Sequence, residues 1–497
     1  MEELINEKDK IIRIDAQYNS NLPEEYQDNP LVSALLEKHS KSDFIYLVSQ
    51  MPPLQIEHRE LNANYRMKKV AELFNLVIPT SHYYEVYSII ERMLFNSYAD
   101  RNPNKKIIKM RQWSLAVHKQ MMDQNWKRTS GESFLYTGPS GVGKSTLITR
   151  VAQTFPQVVN HSEFQGQKYN QAQLVWIKVK IPSDAARKSF SDLFLAEVDK
   201  CLGTTYAKDN KGISIGKYED LFRTIVSTYK LGLLIVDELQ NLSIAKSGGD
   251  EAFLNFFSSL CDDLGVALVL IGTPDCTQVL TETFTASRRL TSGGDIHRDR
   301  FSKTDTNWKL LVTKLWNYQY VNTPKKISEL ENKKQQIIDQ PLFDEIYEVT
   351  EGIPFILTFI FVQAQFMAIE KPNKQGQEIL NILQLRKAFN HGSQLIKNAV
   401  IAIKDGDTES YKDLISLAEK ESSPVKIQYL RSLTCLLDSQ NLTKQAAKDI
   451  RCIIKKLSDN YILNKKEKEL LKTARLKLDN SIIAGGLEIE GEFEEVK

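Results

Sequence analysis

The stretch G-P-S-G-V-G-K-S, residues 138–145, constrains this chain more than any other. It follows a strand-like run, S-F-L-Y-T, and opens onto a helix-like run, T-L-I-T-R-V-A-Q-T-F. A glycine-rich turn in that setting satisfies G-x-x-x-x-G-K-[ST], whose backbone N–H groups turn inward on phosphates while the helix N-terminus adds its dipole. The pattern needs a strand ending and a helix beginning within a few residues, which is the geometry of a parallel sheet covered by helices. Gly138, Pro139, Ser140, Gly141, Val142, Gly143, Lys144, Ser145 and Thr146 are therefore read as the phosphate cradle. Lys144 is expected to reach the β- and γ-phosphates, and Ser145 to hold Mg²⁺.

The rest of the middle of the chain repeats that setting. From Glu132 onward, short apolar runs (174–181, 231–238 and 266–273) alternate with longer helical segments, which predicts a parallel α/β sheet with helices on both faces. The run L-L-I-V-D-E delivers Asp237 and Glu238 at the carboxyl end of a fully apolar strand. Behind a phosphate loop, Asp237 can take Mg²⁺ from the far side while Glu238 orients and deprotonates a water. Two adjacent acids point to hydrolysis, since transfer to a small molecule has no use for the second. The next strand ends in Gly272, Thr273 and Pro274, and Thr273 is placed to bond the water or the γ-phosphate if its strand lies between the other two. Four arginines follow, in S-R-R-L (Arg288, Arg289) and H-R-D-R (Arg298, Arg300). One of them could act as an arginine finger on a neighbouring subunit, with Arg289 the first choice and Arg288 beside it.

Composition narrows the setting. With 42% hydrophobic residues over 497, a sizeable core and roughly three domains are expected. Basic and acidic residues nearly cancel, 65 against 63, so a nucleic-acid partner must be met by a local patch. Cys201, Cys261, Cys276, Cys435 and Cys452 are scattered without C-x-x-C spacing, against zinc or a disulfide framework. The charged start M-E-E-L-I-N-E-K-D-K lacks the order of a secretory signal. The most apolar run, 353–362, is about half the ~20 residues of a membrane span, so a cytoplasmic protein with no membrane partner is expected.

The organisation predicted is an α/β fold with extensions at both ends. Residues 1–110 form an N-terminal appendage, 111–305 the ATPase α/β core, 306–403 a helical lid, and 404–497 a helical C-terminal extension with an acidic tail. Beyond about residue 308 the strand signal stops and helical periodicity takes over.

In the order strand, phosphate loop, D-E pair, Thr-ended strand, paired arginines and helical lid, residues 130–395 look like an AAA+ P-loop module. The stretch G-P-S-G-V-G-K-S-T, then I-V-D-E-L-Q-N-L-S-I-A-K-S-G-G-D-E-A-F-L-N-F-F and G-V-A-L-V-L-I-G-T-P-D, resembles the TnsC-like AAA+ regulators of bacterial cut-and-paste transposons, including the CRISPR-associated ones. Y-Q-D-N-P-L-V-S-A-L-L (26–36) and S-Y-A-D-R-N-P (97–103) are similar to the longer, Tn-seven-type members. The resemblance implies ATP with Mg²⁺ as cofactors and ATP hydrolysis as the activity. It also implies homo-oligomeric rings or filaments on duplex DNA that pass a decision from a target-selector protein to transposase subunits. It does not extend to the lid arginine of many AAA+ proteins, because E-G-I-P is followed here by Phe355.

If the module encloses DNA, the segment after its second strand supplies the contacts. Lys188, Ser191, Lys208, Lys211 and Lys217 are the residues read as meeting phosphates, with Arg187, Ser189 and Ser214 near them. A second basic stretch, K-K-I-I-K-M-R-Q-W (105–113), serves DNA, a subunit contact or neither. Lys178 and Lys180 alternate with Ile177 and Val179 and read as the exposed face of a strand. The N-terminal part is left as a docking surface for a selector and the C-terminal part for transposase. A helicase loader or replication ATPase, a DNA-independent signalling ATPase and, less well, a small-molecule kinase remain as alternatives.

Overall fold

The computed structural model describes residues 11–35, 38–106, 108–110, 131–244, 249–277, 288–331, 334–405 and 411–414. Its centre is a five-stranded parallel sheet in the order β5-β6-β7-β2-β8: β2 is Ser133–Thr137, β5 Trp176–Lys180, β6 Leu233–Asp237, β7 Ala267–Gly272 and β8 Gly294–His297. The inner strands read as unbroken apolar runs because both faces are covered. Leu135, Leu234, Val236, Leu268 and Leu270 point to one side, against the helices Arg187–Leu202, Ile215–Tyr229 and Gly249–Leu264. Phe134, Tyr136, Leu233, Ile235, Val269 and Ile271 point to the other, against the helices Ser81–Ala99 and Lys144–Ala152. The phenylalanines Phe194 and Phe222 stack between two of the helices on the first side.

That second face changes the reading of the first hundred residues. Tyr83, Val86, Tyr87, Ile90, Met93, Leu94 and Tyr98 are buried in the same cluster as the strands, because a parallel sheet needs cover on both sides. Ser97 Oγ donates to the carbonyls of Gly232 and Gly265 at 3.0 and 2.8 Å, and Arg101 donates to Leu231 O at 2.8 Å. The segment expected as an appendage therefore closes the sheet. Further upstream, Val70 and Leu73 pack into the lid cluster, and a buried Arg66–Glu378 pair joins the two.

Two other expectations are corrected. The apolar run 174–181 is not one strand: β4, Gln167–Leu174, pairs antiparallel with β3, Val158–Phe164, and the chain then changes sheets at Val175 to begin β5. β1, Arg13–Asp15, pairs with β3, giving a second, three-stranded sheet that the polar composition of 160–171 concealed. Likewise the lid is not wholly helical, since β9, Ser328–Glu331, and β10, Lys334–Ile337, form an antiparallel hairpin. Its helices, Thr306–Trp316, Gln340–Thr350, Pro354–Glu370 and Ile382–His391, share one core around Trp308, Trp316, Phe343 and Phe361. Among the described residues no single helix is long and apolar enough to cross a membrane. Cys201, Cys261 and Cys276 are buried free thiols, and burial pushes the Cys201 thiol up to about 12. Cys435, Cys452 and the rest of residues 415–497 lie outside the described residues.

Candidate nucleotide site

The phosphate turn sits where β2 stops, beside the central strand β7. β2 ends at Thr137, and the helix Lys144–Ala152 starts after Gly143, which caps it in the left-handed conformation (φ 91°) that favours glycine. The turn's amides converge at a helix N-terminus, an arrangement that attracts anions. Lys144 Nζ donates to Gly138 O at 2.7 Å and to Pro139 O at 2.8 Å. It is 9% exposed, and burial pushes its ammonium down to about 8 against the opposing pull of Asp237 and Glu238.

A pH dependence follows. A bound phosphate supplies the counter-charge that restores the proton, so nucleotide binding should take up a proton near pH 8–9. Affinity should fall about tenfold per unit as pH rises above the free site's value of about 8. Folding carries the opposite sign: the unfolded lysine holds its proton to the ordinary value of 10.5, so this group's contribution makes stability rise with pH between about 8 and 10.5. Calorimetry in two buffers of different ionisation enthalpy checks the first point. Equal heats in both would contradict it.

The carboxylates stand two strands away, across β7. Asp237 ends β6, is 3% exposed, and accepts from Ser145 Oγ at 3.0 Å and from the Glu238 amide at 3.0 Å through Oδ1. Its Oδ2 lies 2.9 Å from Lys178 Nζ. Lys178 also donates to Thr149 Oγ1 at 2.9 Å and is only 21% exposed at its side chain, so the alternation in β5 did not mark a wet face at that position. Glu238 has φ 62°, left-handed backbone that a non-glycine residue adopts at a cost and that recurs where geometry is imposed by function. Gln240 Nε2 donates to Glu238 Oε2, and Gln240 Oε1 accepts from the Thr273 amide at 3.1 Å.

Thus Ser145, Asp237, Glu238 and Thr273 are brought together, with β7 lying between the strands of the other two motifs. Gln240 and Lys178 were missed. Gln240 was legible only as a polar side chain two residues past the acid pair, and Lys178 only as a lysine on a strand.

A cavity of about 200 Å³ opens beside the turn. Val77, Ile78, Tyr83, Leu147 and Leu315 give it apolar walls, and Arg298 and Thr358 add polar groups. The helical region lies directly on the loop: the Phe355 amide donates to Gly141 O at 3.2 Å, and Phe355 itself lines the cavity. The Ser140 amide donates to Asp413 O at 2.7 Å, so residues 411–414 lie against the turn. Arg298 is 9% exposed, which removes it from the candidates for reaching a neighbouring subunit.

Arg288 and Arg289 lie elsewhere. Ser133 Oγ, at the start of β2, donates to Leu290 O, so both arginines flank the end of the sheet opposite the loop, about 16 Å away for a five-residue strand. Arg288 is exposed, and Arg289 Nε is 3.8 Å from Asp262 Oδ2. Neither meets its own subunit's phosphate turn. Lys188, Lys208, Lys211 and Lys217 are exposed on the helices Arg187–Leu202 and Ile215–Tyr229 and their connection, and none pairs with an acid among the described residues. Ser191 does not join them. It is 7% exposed and its hydroxyl donates to Arg187 O at 2.8 Å, one helical turn back, so the expectation of a phosphate contact there is withdrawn.

Residues 128–280 match the family model described as AAA domain. This segment is an AAA domain. It contains the phosphate turn, the acid pair and Thr273, and the strand order around it is the AAA+ P-loop arrangement. Solved structures similar to the chain include a Walker-type ATPase of Pyrococcus abyssi, at 14% identity, covering 70% of this chain and 84% of that one with a TM-score of 0.35. Others are the ORC2 protein of Aeropyrum pernix in ADPNP–ADP complexes (10%, 77% and 96%, 0.34) and Cdc6p of Pyrobaculum aerophilum (12%, 78% and 90%, 0.35). A comparison with curated proteins gives no match.

Proposed function

We propose that the chain is an ATP-hydrolysing regulator that assembles on duplex DNA and links a target selector to a transposase. The observation that carries the hydrolytic part is the convergence of Ser145, Asp237, Glu238 and Thr273 at one end of the sheet. Lys144 holds the β- and γ-phosphates, and Glu238, held by Gln240, positions a water and accepts its proton. The donor set fits Mg²⁺: one hydroxyl and one buried carboxylate 3.0 Å apart leave the other positions to phosphate and water. Ser145 and Asp237 would hold Mg²⁺ there, which would neutralise phosphate charge. The apolar cavity beside the turn takes the base.

The DNA-associated part rests on the resemblance of the motifs and on four exposed lysines. Lys188 stands in the first turn of the helix Arg187–Leu202, Lys208 and Lys211 in the connection after it, and Lys217 in the first turn of Ile215–Tyr229, lysines that suit phosphates rather than base edges. Arg289, far from its own phosphate turn, is assigned to the site of the adjoining subunit.

Electron microscopy and filter binding on random duplex DNA, with no nucleotide, ADP or a non-hydrolysable ATP analogue, test the whole reading. Rings or filaments on DNA are expected with the analogue, and replacing Lys188, Lys211 and Lys217 with alanine should weaken binding and flatten its salt dependence by about two to three units of slope. Nucleotide-driven assembly without DNA binding would instead identify a DNA-independent switch.

A further inference from the structure

The nearest cation to the buried Asp237 is not the phosphate-loop lysine, which is turned onto backbone carbonyls, but Lys178 in β5. Four residues close a circuit there. Lys178 Nζ meets Asp237 Oδ2 and donates to Thr149 Oγ1, both at 2.9 Å. Thr149 Oγ1 donates to Ser145 O at 2.6 Å, and Ser145 Oγ returns to Asp237 Oδ1 at 3.0 Å. The circuit ties the phosphate-loop helix to β5 and β6. A carboxylate at 3% exposure requires a counter-charge, and the ammonium supplies it on the oxygen opposite the one facing Ser145.

We propose that Lys178 is a positioning residue that aims Asp237 at Ser145 and sets the affinity of the site for magnesium. The inference rests on reading Ser145 and Asp237 as the Mg²⁺-side pair. A dication reaching that pair shares its carboxylate with the ammonium, and the two repel. Free Mg²⁺ is thereby disfavoured, and the cation enters with the negative charge of a nucleotide. Through the same contact Lys178 holds Asp237 in register.

The test uses the full chain as wild type, Lys178→Met and Lys178→Arg. Thermal melting is followed in EDTA and in rising Mg²⁺ without nucleotide, and Mg²⁺ is titrated against binding of a fluorescent ATP analogue. Wild type and Lys178→Arg should melt at the same temperature with or without millimolar Mg²⁺. Lys178→Met should gain stability from Mg²⁺ alone, and its half-maximal Mg²⁺ for nucleotide binding should fall about tenfold. Its kcat should drop with little change in KM, because the carboxylate loses its aim.

Identical Mg²⁺ responses in Lys178→Met and wild type would overturn the proposal. Failure of the wild type to bind nucleotide would overturn the ATPase reading instead, while melting in Mg²⁺ alone would still decide the role of Lys178. If Lys178→Met does not fold, Lys178→Gln removes the charge while keeping a polar group beside Asp237 and Thr149. That variant should shift the Mg²⁺ midpoint in the same direction, and an unshifted midpoint would overturn the proposal equally.

Discussion

Glu238→Gln is expected to lower steady-state ATP hydrolysis by about 10²- to 10⁴-fold while leaving nucleotide affinity within a few-fold of wild type. The amide carbonyl can still accept from Gln240 Nε2, so the left-handed backbone at position 238 and the link to Thr273 remain. What disappears is a carboxylate able to take a proton from water. Asp237 is already committed to Ser145 and Lys178 and cannot stand in. The variant should therefore accumulate its ATP-bound form, and any assembly that depends on that form should persist. A phosphate-release assay with an independent binding titration measures both quantities. A rate within threefold of wild type would move the proton acceptor elsewhere.

Gly352→Ala is expected to destabilise the protein by about 3 kcal/mol or more and to weaken nucleotide binding with it. Two costs add. The residue has φ 72°, where any side chain costs about 1–2 kcal/mol, and an added Cβ would lie 2.0 Å from Phe301 O, backbone that cannot give way cheaply. Phe301 in turn donates its amide to Gly352 O at 3.1 Å, so the clash breaks a contact that holds the lid turn in place. Beyond it, Ile353 and Phe355 meet the phosphate loop at Gly141, and the nucleotide cavity loses one wall when they shift. Gly376→Ala is the control: its φ is 76°, nothing lies within 4 Å, and only the conformational cost should appear. Thermal melting of the two variants beside wild type separates clash from backbone preference. Equal losses at both positions would refute the argument.

Much of the site could be read before the fold. The phosphate turn is local chemistry: eight consecutive residues define it, and the flanking runs announce the strand and helix it needs. Asp237 and Glu238 were legible because strand ends in a parallel sheet share an edge, so a polar pair after an apolar run is placed by topology alone. Thr273 followed by the same rule. Ser191 went the other way, because a hydroxyl in a helix can turn onto the carbonyl four residues earlier, and neither spacing nor composition reports that choice.

The sheet of β1, β3 and β4 was hidden for a related reason. Its strands carry glutamine, asparagine and lysine on their open faces, so no apolar alternation marks them. The helix Ser81–Ala99 owes its place over the sheet to the face that the other helices leave bare.

By itself, then, the sequence determined the phosphate turn, the acid pair and the alternating strands of an AAA domain, since each is set by neighbours within a few residues. Tertiary structure alone decided that Lys178 meets Asp237, that Gln240 bridges Glu238 to Thr273, that Gly352 admits no side chain, and that Arg289 stands away from its own phosphate turn. Each of those depends on strand order and on which groups the packed core leaves facing one another. Such contacts join residues tens to hundreds of positions apart, and no local pattern encodes them.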